Sequence, residues 1–343
     1  MSLKVTLRNW RLSLGKVLLD TEMSHDSQEH RVPKRLLFMR HDGKLGDYIV
    51  SSFSYREIKS FDPTIHIGVV CAQKDAYLYE KNPYIDALYF VRVKSIFDFF
   101  RLGSQLAKLN YDTVIDPTEI LRNRNFLFLR LIKASHYIGY QKSNYKLFDH
   151  SIEGIQHYSE LYKKILVELN IPVQDTTYDI PTDDEADSEI ESFLRKNDIK
   201  DYIAINFFGA SSSRVMSPDK IKQHIEYIQR QTSDTSIILL SYPDVYPALR
   251  VLSQLYSQVY VHQTKNIFHT VALIRRCRQL ITVDTSTVHI GSGFNKAMIA
   301  WYRTEKSNFI QWGPKSKAET HVLFYKKTVN EMSPEAIQAE WFI

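Results

Sequence analysis

The chain has 343 residues, 44% hydrophobic and 24% charged, which excludes a disordered or fibrous protein and leaves room for two ordinary α/β domains. Its 44 Lys and Arg against 39 Asp and Glu give a net charge of +5. That excess is too small to argue for nucleic acid, yet it suits an acidic substrate or an anionic membrane surface.

At the N-terminus, Leu3, Leu7, Trp10, Leu14 and Leu18 recur at helical spacing, and Lys4, Arg8, Arg11 and Lys16 supply only positive charge. Residues 3–20 fit a helix lying in a membrane interface with Trp10 at headgroup level. They fit equally an arm packed on the protein's own surface, and Gly15 weakens the helix in either case. Scattered charges rule out a signal-peptide core there, and no apolar run reaches membrane-spanning length, so a cytoplasmic location is expected. Residues 1–33 read as this arm and a polar linker.

From residue 34 the pattern alternates strand and helix. Strands are predicted at 35–39, 65–71, 87–93 and 113–116, with helices at 46–60 and 96–109, as in βαβ units around a parallel sheet. Residues 119–146 are apolar but strongly basic, carrying Arg122, Arg124, Arg130, Lys133, Lys142 and Lys146. Prolines and an acidic run over 171–187 mark a linker. The alternation then restarts, with strands at 202–206, 236–240, 259–261, 280–283 and 297–301 and helices at 218–231, 245–256 and 267–276. The division expected is 34–175 and 176–330, followed by a C-terminal helix over 331–343. The two cysteines, Cys71 and Cys277, sit far apart in apolar stretches and read as buried hydrophobes of a reducing compartment.

Three turns follow predicted strands, where open α/β sheets bind ligands. Asp42-Gly43-Lys44-Leu45-Gly46-Asp47 leads into a helix whose N-terminus favours anions, and lacks the spacing of a dinucleotide fingerprint or P-loop. Asp47 reads either as a cap of that helix or as a general base aimed at a hydroxyl. Ser211, Ser212 and Arg214 follow the first strand of the second half; hydroxyls and a guanidinium fork there suit a diphosphate, against the alternative of a plain Ser-rich turn. Asp284-Thr285-Ser286-Thr287 leads into another helix, with His289 on its first turn, either a ligand-facing or a structural histidine. No cluster of His, Cys and carboxylates has metal spacing, and no metal is expected.

At these turns the sequence resembles the lipopolysaccharide heptosyltransferases, glycosyltransferase family nine. Phe38 to Asp47 is similar to the family's strand and R-x-D-x-x-G-D turn with one residue more. Asn82-Pro83-Tyr84-Ile85-Asp86 is similar to its N-P-x-x-D. Gly209-Ala210-Ser211 with Arg214-Val215-Met216-Ser217-Pro218 resembles G-A-S then K-x-W-P-x, and Asp284 to His289 resembles D-T/S-G-x-x-H. Gln311-Trp312-Gly313-Pro314 resembles a later W-x-P element. The likeness runs from residue 34 to the C-terminus.

The resemblance implies a GT-B fold, two Rossmann-like doubly wound domains facing a central cleft, and an inverting mechanism without catalytic metal or cofactor. It implies a nucleotide-diphospho-sugar donor, typically ADP-heptose. The acceptor expected is a growing, phosphorylated lipid-linked saccharide of the lipopolysaccharide core or a related surface glycan, with the enzyme peripheral on the cytoplasmic face of the inner membrane through residues 3–20. Asp47 would be the catalytic base. Ser211, Ser212, Arg214, Asp284, Thr285, Ser286, Thr287, His289 and Arg303 would bind the donor, and Lys44, Gly46, Arg122 and Arg124 the acceptor. Arg214, Met216, Ser286 and the Trp301-Tyr302-Arg303-Thr304 stretch depart from the family pattern, all around the donor. Those departures keep open a non-catalytic sugar-binding relative. A Rossmann-type enzyme of another class, such as a nucleotide-dependent epimerase or dehydrogenase, is the other rival, disfavoured because the glycine fingerprint and a Tyr-x-x-x-Lys pair are missing at the expected places.

Overall fold

A computed structural model describes residues 10, 13, 15–21, 32–41, 43–92, 95–232 and 235–343. Leu3, Lys4, Leu7, Arg8, Arg11 and Leu14 of the predicted arm, and Asp42 of the first turn, lie outside these residues. The chain divides into two compact units, Met1–Thr176 and Thr177–Ile343.

The first unit holds strands β1 (Arg35–Arg40), β2 (His66–Cys71), β3 (Ala87–Phe90), β4 (Thr113–Asp116), β5 (His136–Tyr140) and β6 (His150–Ile152), in the order β3-β2-β1-β4-β5-β6. Every pairing is parallel. Leu36, Leu37 and Phe38 are all fully buried, the signature of a central parallel strand covered on both faces. Its helices are α1 (Leu45–Phe61), α2 (Ala76–Glu80), α3 (Ile96–Ala107), α4 (Asn123–Ile132) and α5 (Tyr158–Glu168); α1 packs with α5 and α3 with α4.

The second unit repeats the plan. Strands β7 (Tyr202–Asn206), β8 (Ser236–Leu239), β9 (Val259–Val261), β10 (Gln279–Val283), β11 (Ala297–Arg303) and β12 (Thr320–Tyr325) stand in the order β12-β11-β10-β7-β8-β9, again all parallel. Its helices are α6 (Asp184–Lys196), α7 (Pro218–Gln231), α8 (Tyr246–Ser253), α9 (Ile267–Arg276), α10 (Ser286–Gly293) and α11 (Lys306–Trp312). In both units the first strand is central, the second and third extend to one side, and the fourth to sixth extend to the other. The sheet order therefore reverses between β1 and β4, and between β7 and β10, which is where such sheets open a crevice.

Three features depart from the sequence reading. The basic stretch 119–146 divides into α4 and β5, separated at Lys133, whose left-handed backbone (φ 55°) ends the helix. Lys142 is fully buried. Its ammonium donates to the carbonyls of Thr118, of Glu119 at 3.1 Å and of Tyr140 at 2.8 Å, so it clamps the loop after β4 and presents no charge to solvent. Residues 331–343 form no α-helix: short 3-10 turns at Pro334–Ala336 and Ala339–Trp341 follow one another. Tyr227 donates to the Ile337 carbonyl at 2.6 Å and Gln279 to that of Trp341 at 2.5 Å, which anchors this segment to α7 and β10.

Residues 15–19 are helical and docked on the first unit. Lys16 lies 4.7 Å from the Tyr145 ring, Asp20 accepts the Leu147 N–H, and Arg130 donates to the Thr21 carbonyl at 2.7 Å. Trp10, Val17 and Leu18 stay exposed. The described part of the arm thus packs on its own protein along one side and offers apolar side chains to solvent on the other.

Candidate active site

Each unit carries a candidate site at its own strand-order reversal. In the first, β1 ends at Arg40 and α1 begins at Leu45, which places Asp47 in the first helical turn. Its Oδ2 accepts the Lys44 N–H at 3.0 Å, so it does cap the helix. Its Oδ1 lies 3.5 Å from Nη2 of Arg40, a side chain only 4% exposed, while Asp47 itself is 27% exposed. Nη1 of Arg40 donates to the Tyr162 hydroxyl at 2.8 Å. Burial works against the Arg40 charge, but Tyr162, Tyr79 and Asp47 around it hold its pKa well above the usual value. The cation is therefore permanent, and Asp47 is its carboxylate partner.

Capping does not exhaust Asp47, because each carboxylate oxygen has a second lone pair. The side chain faces a cavity of about 1030 Å³ walled by Arg40, Thr118, Glu119, Arg122, Arg124 and Tyr158. Of the four residues predicted to bind an acceptor, Arg122 and Arg124 stand on this wall. Lys44 and Gly46 do not; Lys44 is exposed at the helix N-cap. Sequence reasoning missed Tyr158, at the start of α5, whose hydroxyl is pushed up by burial and by the nearby Asp47 charge. Its only sequence signal was the position after β6. Arg40, the last residue of β1, was legible only as the first letter of a motif.

In the second unit, the loop after β7 turns through a 3-10 segment, Ser212–Arg214, and closes with Gly209 N–H on the Arg214 carbonyl at 2.9 Å. A Cβ on Gly209 would come within 2.6 Å of the Arg214 Cβ, so only glycine lets the arginine fold back here. Arg214 Nη1 donates to the Asp284 carbonyl at 2.8 Å and lies 3.3 Å from its carboxylate. The structure thus joins two turns that the sequence holds 70 residues apart. Asp284 is buried at the end of β10, where burial raises its pKa against the opposing Arg214 charge and the Asn308 amide, 3.0 Å away. Arg214 remains 33% exposed, and Ser211 and Ser212 are exposed beside it. Thr285 and Ser286 open α10 with half-buried side chains.

Two predicted donor residues take other positions. Thr287 is buried with its hydroxyl 2.6 Å from Thr282 Oγ1 and 3.2 Å from Asn206 Nδ2, a network that ties α10 to β7 and β10. His289 is buried 5.7 Å from the Trp312 ring. Both side chains are packed within the second unit. Arg303 is exposed at the end of β11, its Nε 3.3 Å from the Lys326 carbonyl. Other motif residues make contacts within the fold. Asn82 donates to the Tyr48 hydroxyl at 3.0 Å, Asp86 accepts the Ile67 N–H at 2.7 Å, and Met216 fills the core where the family pattern has Trp. Among the described residues, no group of three or more His, Cys, Asp and Glu could hold a metal ion.

No family model matches the chain. Among curated proteins it is 23% identical over 317 residues, 89% of this chain and 85% of the relative, to a protein named "Putative lipopolysaccharide heptosyltransferase 4" of Escherichia coli. In sequence, the chain resembles the heptosyltransferases. Its fold matches a glycosyltransferase family 9 protein of Veillonella parvula with a TM-score of 0.70 at 19% identity, covering 92% of this chain and 96% of that one. The E. coli heptosyltransferase WaaC, solved with ADP, matches at 0.64 and 14% identity over 90% and 95%. The architecture is the GT-B fold of these glycosyltransferases, as the sequence resemblance implied.

Proposed function

We propose that the protein is an inverting, metal-independent glycosyltransferase that moves a sugar, heptose in the first instance, from a nucleotide-diphospho-sugar to a lipid-linked saccharide of the lipopolysaccharide type. The observation that carries the proposal is the carboxylate of Asp47, locked by a buried arginine yet facing a cavity with basic walls. The acceptor hydroxyl attacks the anomeric carbon and gives its proton to Asp47. The bond from that carbon to the diphosphate oxygen breaks, its electron pair leaves with the nucleotide, and the configuration inverts. In the second unit, Arg214 with the Ser211 and Ser212 hydroxyls binds the leaving diphosphate, where charge grows in the transition state and donors count most. Arg122 and Arg124 receive an anionic acceptor.

ADP is the nucleotide proposed because a relative by fold is solved with ADP. The enzyme would work at the cytoplasmic face of the inner membrane, with the arm on the lipid; among the described residues no helix is long and apolar enough to cross a membrane. A thermal shift with ADP, UDP and GDP sugars selects the donor, and sugar transfer or donor hydrolysis then reports catalysis. Stabilisation without turnover of any donor would make the protein a binder and overturn the enzymatic reading.

A further inference from the structure

Helix α3 is apolar on two sides. Phe99, Leu102 and Leu106 face the core, yet Phe97 is 82% exposed, and Ile96 and Phe100 are also exposed. These three occupy the first two turns, where residues three and four apart share a face. Ile96 also borders the cavity that holds Asp47, together with the exposed Ile120 of the loop after β4 and the exposed Leu18 of the arm. Three separate segments therefore place apolar side chains around one mouth. Folding contributes nothing to keeping phenylalanines in water, and apolar patches of this kind mark contact sites.

The exposed charges beside the patch are mainly basic. Arg92 is largely exposed, and Arg101 and Arg122 are exposed as well. Of the acids there, Asp98 is buried and offsets Arg92 through bonds of 2.6 and 2.9 Å, Asp47 is paired with Arg40, and Glu119 is exposed, so the positive excess comes from Arg101 and Arg122. Aromatic and aliphatic side chains interspersed with arginine are the composition of an interfacial membrane contact. A protein partner seated on this rim would cover the cavity. A lipid surface would instead present a membrane-held acceptor to it.

We propose that the rim formed by Ile96, Phe97, Phe100 and Ile120 rests on an anionic lipid surface beside the arm, so that the Asp47 cavity opens toward the bilayer. The inference rests on the reading of the acceptor as lipid-linked, and it extends membrane contact beyond residues 3–20.

Vesicles of phosphatidylglycerol and phosphatidylethanolamine test it by co-sedimentation, with phosphatidylcholine vesicles and added salt as controls. The full chain should bind the anionic vesicles, more weakly as salt rises. A Phe97→Ser/Phe100→Ser variant should lose at least tenfold in affinity, and Ile120→Ser a smaller factor. Unchanged melting temperature and unchanged ADP-induced shift in these variants show that folding and the donor site are intact. Absence of that shift in the parent would sink the donor assignment and leave the vesicle result standing. The proposal is overturned if the parent ignores the vesicles, or if the double variant binds as the parent does, including the case where Trp10→Ser alone abolishes binding. It is also overturned if the double variant only dissolves a dimer seen by analytical ultracentrifugation.

Discussion

The guanidinium of Arg214 grips Asp284 twice, at the backbone carbonyl and at the carboxylate. That grip fixes the arginine at the reversal between β7 and β10, with part of its surface left for a ligand. Arg214→Lys keeps the charge but loses the planar fork. We expect it to weaken nucleotide-diphosphate binding by roughly tenfold, and Arg214→Ala by about a hundredfold, the scale of a charge-assisted hydrogen bond. Isothermal titration with the selected nucleotide measures both, and equal affinities in all three proteins would remove Arg214 from the donor site.

Asp47 serves as helix cap and proposed base, and an amide separates the two roles. Asn still accepts the Lys44 N–H, so Asp47→Asn should keep stability within about 1 kcal/mol of the parent, whereas Asp47→Ala should lose about 1 kcal/mol with the cap. Both should reduce turnover by at least a hundredfold, within the range general-base catalysis contributes. Arg40→Met should lower turnover at unchanged donor affinity, because it releases the side chain of Asp47 without touching the second unit. Transfer assays beside urea melts decide this; full activity in Asp47→Asn would refute the assignment.

Burial holds the Asp284 carboxyl above its ordinary pKa despite Arg214. Such a group binds its proton more readily folded than unfolded. Its contribution is fully present below the unfolded value, about 3.9, and is lost as pH rises through the higher folded value. Asp284→Asn removes that titration. The stability of the Asn variant relative to the parent should therefore improve from pH 4 to pH 7, as read by urea unfolding at each pH. A gap independent of pH would contradict the placement.

Thr287 tests whether α10 uses its second residue for ligand or for packing. Thr287→Val breaks the bonds to Thr282 and Asn206 and should cost about 1–3 kcal/mol. Donor affinity should stay within twofold. A large loss of affinity at unchanged stability would return Thr287 to the donor site.

Lys142 holds the loop that walls the Asp47 cavity. Lys142→Met leaves the carbonyls of Thr118, Glu119 and Tyr140 without that donor and should cost about 1–3 kcal/mol. Gly139→Ala should act through the same clamp, since a Cβ there would come within 2.4 Å of the Lys142 side chain. Hydrogen exchange over residues 117–122 should speed up in both variants. Unchanged exchange would mean that the loop is held elsewhere.

Central strands were readable because both of their faces are covered: Leu36-Leu37-Phe38-Met39 in β1 is an unbroken apolar run, and LITV in β10 is interrupted only by the fully buried Thr282. The strands that escaped lack that signal. β6 has three residues, and β12 is an edge strand whose only fully buried side chain is Tyr325. β5 was hidden within a stretch dominated by its basic residues. Turn positions at strand ends pointed to Asp47, Arg214 and Asp284, since topology puts such turns at ligand sites. The pairing of Arg214 with Asp284, the Arg40 lock and the inward turn of Lys142 depend on contacts between distant segments, and no local pattern encodes them. Thr287 and His289 share a motif with the half-buried Thr285 and Ser286, and they are interior because α10 is enclosed on every side from Thr287 to Ser292.

In each half, an arginine restrains a carboxylate at the place where the sheet changes direction: Arg40 with Asp47, and Arg214 with Asp284. Since each half closes its own core, mutations can retune one restraint while the other stays fixed. On the proposed assignment of donor and acceptor to the two halves, such a lineage could change the sugar it takes and the glycan it extends separately.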